Sequence, residues 1–112
     1  MLDRLFVYGT LRRSFDNRYS QLLRAGADFL DYTTVPGSIY RVEHFPAYRP
    51  TSAGEVHGEL YRLRDPEETL RVLDEYEGSE FERVTVSDAW IYQYREEPPE
   101  HLRIASGDFC KP

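Results

Sequence analysis

The stretch Leu5-Phe6-Val7-Tyr8 sets the tightest limit on the fold. Successive side chains of a strand point to opposite faces, so four apolar residues in a row need cover on both. A strand of this kind is central to a sheet, with a layer on each side, or it lines a barrel. It ends on an aromatic, a glycine and a hydroxyl, Tyr8-Gly9-Thr10, and then runs into Leu11, Arg12, Arg13 and Ser14. That is an unusual way to leave a strand.

The rest of the chain supplies the partners. Phe15, Tyr19, Leu22 and Leu23 recur at helical spacing, with Ser14 or Asp16 as candidate caps and Gly26 at the end. Strands are predicted at 28–35, 38–43 and 55–63, separated by Pro36-Gly37 and by a segment, 44–54, whose Pro46, Pro50 and Gly54 read as a loop. Gly58 interrupts the third of these strands and marks a bulge or a close backbone approach. The second helix is well signalled: Asp65 as N-cap, Pro66 at the first helical position, Glu68 completing a capping-box pattern and Gly78 at the stop. Strands at 81–87 and 89–95 follow, with Trp90, Tyr92 and Tyr94 alternating against Ala89 and Ile91, and residues 101–112 show no regular pattern.

The order β-α-β-β-β-α-β-β lacks the steady alternation of a doubly wound fold, and most strand-to-strand connections are short. The expectation is one α+β domain over residues 1–112, with a mixed, mostly antiparallel, barrel-like sheet and flanking helices.

Charge and cysteine content narrow the functional classes. The net charge is −6 and the pI about 5.0, with arginines scattered along the chain, which argues against a nucleic-acid partner. The N-terminus carries Asp3 beside a short apolar run, unlike a signal peptide, and no apolar stretch has the length of a membrane span. Cys110 is the single cysteine, which excludes an intrachain disulfide and fits a reducing, cytoplasmic setting. His44, His57 and His101 lack metal-ligand spacing, no serine sits in a GxSxG context, and no phosphate-loop pattern is present. Neither a metal nor an organic cofactor is expected.

Two places carry chemistry. Leu70, Leu73 and Glu77 are spaced i, i+3 and i+7, so Glu77 falls on the stripe that faces the core, whereas Asp74 and Glu75 fall outside it. A carboxyl turned into apolar surroundings at a helix C-terminus is hard to ionise, which moves its pKa towards neutrality. The alternative is a fraying last turn with Glu77 in water. At Gly9, a glycine after a strand admits a positive φ and a close approach of ligand to backbone, so consecutive amides there can form an anion-binding nest, with Thr10 adding a hydroxyl. The alternative is a plain β-turn. Arg83 is placed to pair with one of the nearby acids, and Ser-Gly-Asp-Phe at 106–109 is placed to cover a pocket.

Taken together, "FVYGTL", "VHGELYRL", "LDEYEG", "AWIYQY" and the closing "SGDF" make the chain resemble the γ-glutamylcyclotransferase-like family, which includes γ-glutamylamine cyclotransferases and AIG2-like proteins, over nearly its whole length. The resemblance implies a small mixed barrel with flanking helices. It also implies that the loop Tyr8, Gly9, Thr10 and Leu11 holds a glutamyl substrate through backbone groups, and that Glu77 is the acid/base residue. The activity implied is cyclisation of a γ-glutamyl amine or amino acid to 5-oxoproline. The partner would be a small γ-glutamyl compound, with no metal, nucleic acid or membrane involved. The chain departs from the pattern at Phe81, where members often carry tyrosine, and at position 109, where phenylalanine stands for a frequent tryptophan. Glu80 and Glu82 crowd the same turn as Glu77 and compete for its role. A non-catalytic domain that keeps the pocket for a small ligand or partner is the rival reading.

Overall fold

The computed structural model describes residues 1–51 and 53–111. Seven strands and two helices follow in the order β1 (Arg4–Val7), α1 (Arg18–Gly26), β2 (Ala27–Pro36), β3 (Ser38–Val42), β4 (Phe45–Arg49), β5 (Glu55–Leu63), α2 (Pro66–Glu77), β6 (Phe81–Val86) and β7 (Ala89–Tyr94), with a 3-10 turn at Glu100–Leu102. The strands form one curled sheet in the order β2-β5-β1-β7-β4-β3, and β6 pairs with β7 off that path. The β1–β7 and β4–β7 pairs are parallel and the others antiparallel, as a mixed, mostly antiparallel sheet requires.

The two-faced strand is the middle of this arrangement. Leu5 and Val7 pack with Leu23 of α1, Leu70 and Leu73 of α2, and Leu63 of β5. Phe6 and Tyr8 point the other way, into the hollow of the sheet, with Ile39, Tyr48, Val56, Ile91 and Ile104. Burying a large apolar side chain stabilises by about 1.5–3 kcal/mol, so both layers depend on this one strand. At Gly58 the close-approach reading holds. An added Cβ there would meet the Val7 carbonyl oxygen and, at 2.6 Å, the Phe6 ring. The irregularity in β5's pairing falls instead opposite β2, between Phe29 and Asp31.

Four local readings are corrected. Residues 45–49 form a strand, not a loop: β4 pairs with β3 in register from Ser38↔Arg49 to Val42↔Phe45 and touches β7 at Tyr48↔Gln93. Every second amide of an antiparallel strand points away from its partner, so Pro46, which lies before the contact with β7, costs the ladder little. Helix α1 is capped by Asn17, whose side chain accepts from the amides of Tyr19 and Ser20 while the Ser20 hydroxyl accepts from the Asn17 amide. Ser14 and Asp16 take no part in that cap. Within α1, Leu23 and Ser20 face the core and Leu22 is exposed. The tail is ordered by an Ile104 amide bond to the Ile39 carbonyl, a Tyr40↔Arg103 bridge and a His57 amide bond to the Gly107 carbonyl.

No helix among the described residues is long and apolar enough to cross a membrane. Because of the crowding at residue 58, Gly58→Ala is expected to lower stability by about 1–3 kcal/mol, seen as a lower urea midpoint at unchanged slope.

Candidate active site

A strand has two hydrogen-bonding edges. β6 pairs with β7 along its full length, from Val86↔Ala89 to Phe81↔Tyr94, and so takes one edge entirely. β1 and β4 must share the other. β1 meets it at Leu5↔Trp90, and β4 takes over at Tyr48↔Gln93. The sheet forks between them. The Tyr8 hydroxyl fills the crotch of the fork, donating to the Tyr92 carbonyl at 2.6 Å and accepting from the Tyr48 amide at 3.3 Å. Burial first, and the neighbouring Glu77 second, hold this phenol well above its ordinary pKa, so it remains a hydrogen-bond donor.

Above the fork lies a cavity of about 230 Å³, whose wall includes Tyr8, Gly9, Thr10, Leu11, Glu77 and Phe81. Ligand pockets for drug-sized molecules usually begin near 300 Å³, so this one suits a small ligand. All five residues singled out in the sequence therefore come together on one cavity. Phe45, Pro46, Tyr76, Glu80 and Tyr92 complete much of the lining and were not anticipated, apart from Glu80 as a competing acid. Glu82 is elsewhere, with its carboxylate 3.7 Å from Arg95.

The loop after β1 is shaped by its surroundings. Gly9 does not adopt a positive φ, so the nest geometry expected there is absent. Its glycine is required for a different reason: an added Cβ would lie 2.5 Å from Cγ of Pro46, where β4 crosses the end of β1. The Gly9 carbonyl accepts from the Arg12 amide at 3.0 Å, and the Thr10 carbonyl accepts from the Asn17 side chain at 2.8 Å. Leu11 buries its side chain in the helix-side core. Among the described residues, the amides of Gly9, Thr10 and Leu11 find no protein acceptor. All three residues line the cavity. The Thr10 hydroxyl is 3.0 Å from that of Tyr76, which stacks on Tyr19 at 4.0 Å and ties α1, α2 and the loop together.

Glu77 is the last residue of α2, and Gly78 stops the helix with φ +78° and an amide bond to the Asp74 carbonyl. One turn earlier, Asp74 accepts from both arms of Arg83, at 2.9 and 3.2 Å, and from the Tyr92 hydroxyl at 2.7 Å. This pairing is the one anticipated for Arg83, and it clamps the end of α2 against β6 and β7. Glu77 keeps some contact with the cavity, but protein surrounds most of its carboxyl, and burial raises its pKa to about 7. The alternative of a frayed, solvated Glu77 does not describe this structure. Phe81 stands with Phe45 and Tyr94, ring centroids 5.5–6.0 Å apart, as an apolar wall with no hydroxyl at position 81. The segment 106–109 lies away from this cavity and does not cover it.

Residues 5–111 match the family described as gamma-glutamyl cyclotransferase, AIG2-like, and the chain belongs to it. Protein ytfP from Escherichia coli is 33% identical, with a TM-score of 0.71 over 96% of both chains. The uncharacterized protein PH0828 from Pyrococcus horikoshii is 30% identical, with a TM-score of 0.77 over 96% of this chain and 89% of that one. An AIG2-like protein from Mus musculus shares the fold at 23% identity, with a TM-score of 0.76 over 96% of this chain and 87% of its own. No curated protein matches the chain.

Two outcomes follow from the geometry. Tyr8→Phe leaves the Tyr92 carbonyl and Tyr48 amide without their buried partner and is expected to cost about 1–3 kcal/mol in urea unfolding. The Glu77 carboxyl binds its proton more tightly folded (about 7) than in the ordinary range (4.5), so its stabilising contribution is complete below about pH 4.5 and is lost as pH rises through 7. Wild type should therefore lose about 1–3 kcal/mol relative to Glu77→Gln between pH 5 and pH 8, measured by paired urea melts.

Proposed function

We propose that the protein is a γ-glutamyl cyclotransferase that converts a γ-glutamyl amine or γ-glutamyl amino acid to 5-oxoproline and the free amine. The observation that carries this reading is the meeting, on one small cavity, of a carboxyl with a pKa of about 7 and the unpaired amides of residues 9–11. The reaction needs little more. The substrate's α-amine attacks its own γ-carbonyl, a five-membered lactam closes, and the bond to the leaving nitrogen breaks. Holding the substrate folded makes the attack intramolecular, and well-oriented reactions of that kind reach effective molarities of ~10⁵ M or more.

Protons are the remaining obstacle. The α-amine is an ammonium near neutral pH and must lose a proton before it attacks, while the leaving nitrogen must gain one. A carboxyl that titrates near 7 does both, so Glu77 accepts the first proton, returns it to the leaving nitrogen and ends each cycle unchanged. The amides of Gly9, Thr10 and Leu11 supply fixed dipoles for the substrate's carboxylate or the developing oxyanion, without reorganisation at the moment of reaction. Tyr8 acts at one remove: its hydroxyl is committed to the fork, and its ring forms part of the cavity wall.

The test is release of 5-oxoproline from a panel of γ-glutamyl amines and γ-glutamyl amino acids, followed by mass spectrometry. Wild type should release it, with kcat/KM falling on the acid side as Glu77 protonates near pH 7. Glu77→Gln should lose about 10²- to 10⁴-fold in kcat while folding normally. Release that survives this substitution would move the role to Glu80, the other acid on the cavity. No release from any substrate, with retained binding of 5-oxoproline, would mean a binding domain.

A further inference from the structure

The alternation of β5 sends Leu63, Tyr61 and residue 59 to the helix-side face, the first two into the apolar core and the third beside Val7, the last residue of β1. Residue 59 is a glutamate, and it is 1% exposed. It does not line the cavity. A carboxylate in such a place is costly unless donors surround it. Two donate to it, the Arg13 amide at 2.8 Å and the Tyr61 hydroxyl at 2.9 Å, both on Oε1, and the Arg12 guanidinium, with Nε 3.6 Å from Oε2, adds an opposite charge. Arg12 is held from its other side by Asp108 of the C-terminal tail, Nη1 to Oδ1 at 2.8 Å, and its side chain is about seven-eighths buried between the two acids. The tail is seated in turn. Gly107 has φ +72° and packs so tightly on the Glu55 carbonyl that a Cβ would clash, its carbonyl accepts from the His57 amide at 2.8 Å, and the Cys110 amide closes on Asp108 at 2.9 Å.

The backbone fastened by this cluster is the loop with the three unpaired amides. Arg12 N closes the turn on the Gly9 carbonyl, and the next amide, Arg13 N, ends on Glu59. The loop is thus anchored at its far end by a buried charge, and that charge is balanced from residues near the end of the chain.

We propose that Glu59, Arg12 and Asp108 are positioning residues that hold the Gly9–Leu11 amides towards the cavity, so that the C-terminal tail determines how well the loop grips its ligand. The assignment rests on the cyclotransferase reading of that cavity for what the ligand is, but not for the ordering of the loop.

The experiment compares wild type, Asp108→Asn, Asp108→Glu and Glu59→Gln by ¹⁵N relaxation of residues 9–11 and by NMR titration with 5-oxoproline. Ile39→Val, in β3, is the destabilised control. Asp108→Asn and Glu59→Gln should drop the order parameters of residues 9–11 from the rigid value of about 0.85 to below about 0.6. They should also weaken 5-oxoproline binding about tenfold. In turnover, KM should rise about tenfold with kcat changed less than threefold and the acid limb of the pH profile unmoved. Asp108→Glu should recover part of the loss, and Ile39→Val should change none of these. Asp108, at the outer end of the cluster, keeps the test open if Glu59→Gln does not fold. Wild-type order parameters in both variants, or equal changes in the Ile39→Val control, would overturn the proposal. If wild type neither binds nor forms 5-oxoproline, the cyclotransferase reading fails while the order parameters still decide the positioning.

Discussion

One edge of β7 is claimed by two strands, and the Tyr8 hydroxyl makes that sharing possible. Where β1 leaves and β4 arrives, a carbonyl and an amide of the sheet lose their regular ladder partners. Buried backbone groups without partners are costly, so a fork in a sheet needs a side chain to bridge it. Tyr8 reaches across from the end of β1 to Tyr92 on β7 and Tyr48 on β4. The space opened by the diverging strands is the cavity, and the residues just after Tyr8 become its wall.

Everything else at the site is arranged around that opening. Pro46 presses on Gly9 and leaves no room for a side chain, while Leu11 sinks into the core two residues later. The short span between them is drawn tight, its carbonyls used by the protein and its amides left over. Opposite, α2 delivers Glu77 on its last turn, with Asp74 tied to Arg83 and Tyr92 so that the helix end cannot drift. Burial then raises the carboxyl's pKa to about 7. The site brings a carboxyl with a pKa of about 7 and the residues of the loop to one cavity, and both are consequences of how strands and helix end around one fork.

Much of this was legible in the chain. Alternation and capping signals located β1, β5, α2, β6 and β7, because each is a local pattern read against a strong periodicity. Glu77 was legible in part for the same reason: i, i+3, i+7 spacing places it on the apolar stripe, but as the last residue of the helix it could equally have frayed into water, and only the packing around it decided that. The misread elements fail together on one point. Pro46 argues against a strand only if its missing amide is needed, and that depends on where β7 begins to pair. Asn17 outcompetes Ser14 and Asp16 as a cap because the chain must first complete the loop pinned by Arg12 and Asn17 itself. Glu59 carried a readable signal, an acid in the alternation of Tyr61 and Leu63, but its partners Arg12 and Arg13 are 47 and 46 residues away, and Asp108, which holds Arg12 from the other side, is 49.

The sequence by itself determined the two-faced central strand, the mixed α+β order, the membership of the chain in the gamma-glutamyl cyclotransferase, AIG2-like family and the place of Glu77 on the apolar stripe of its helix. These are properties of spacing, and spacing is preserved on folding. Only the tertiary structure decided why Gly9 is glycine, which amides remain free and what holds the loop. Gly9 is glycine because of a proline 37 residues away, not because of a positive φ. Each of these depends on close contact between segments distant along the chain, and no local periodicity encodes which distant groups will meet.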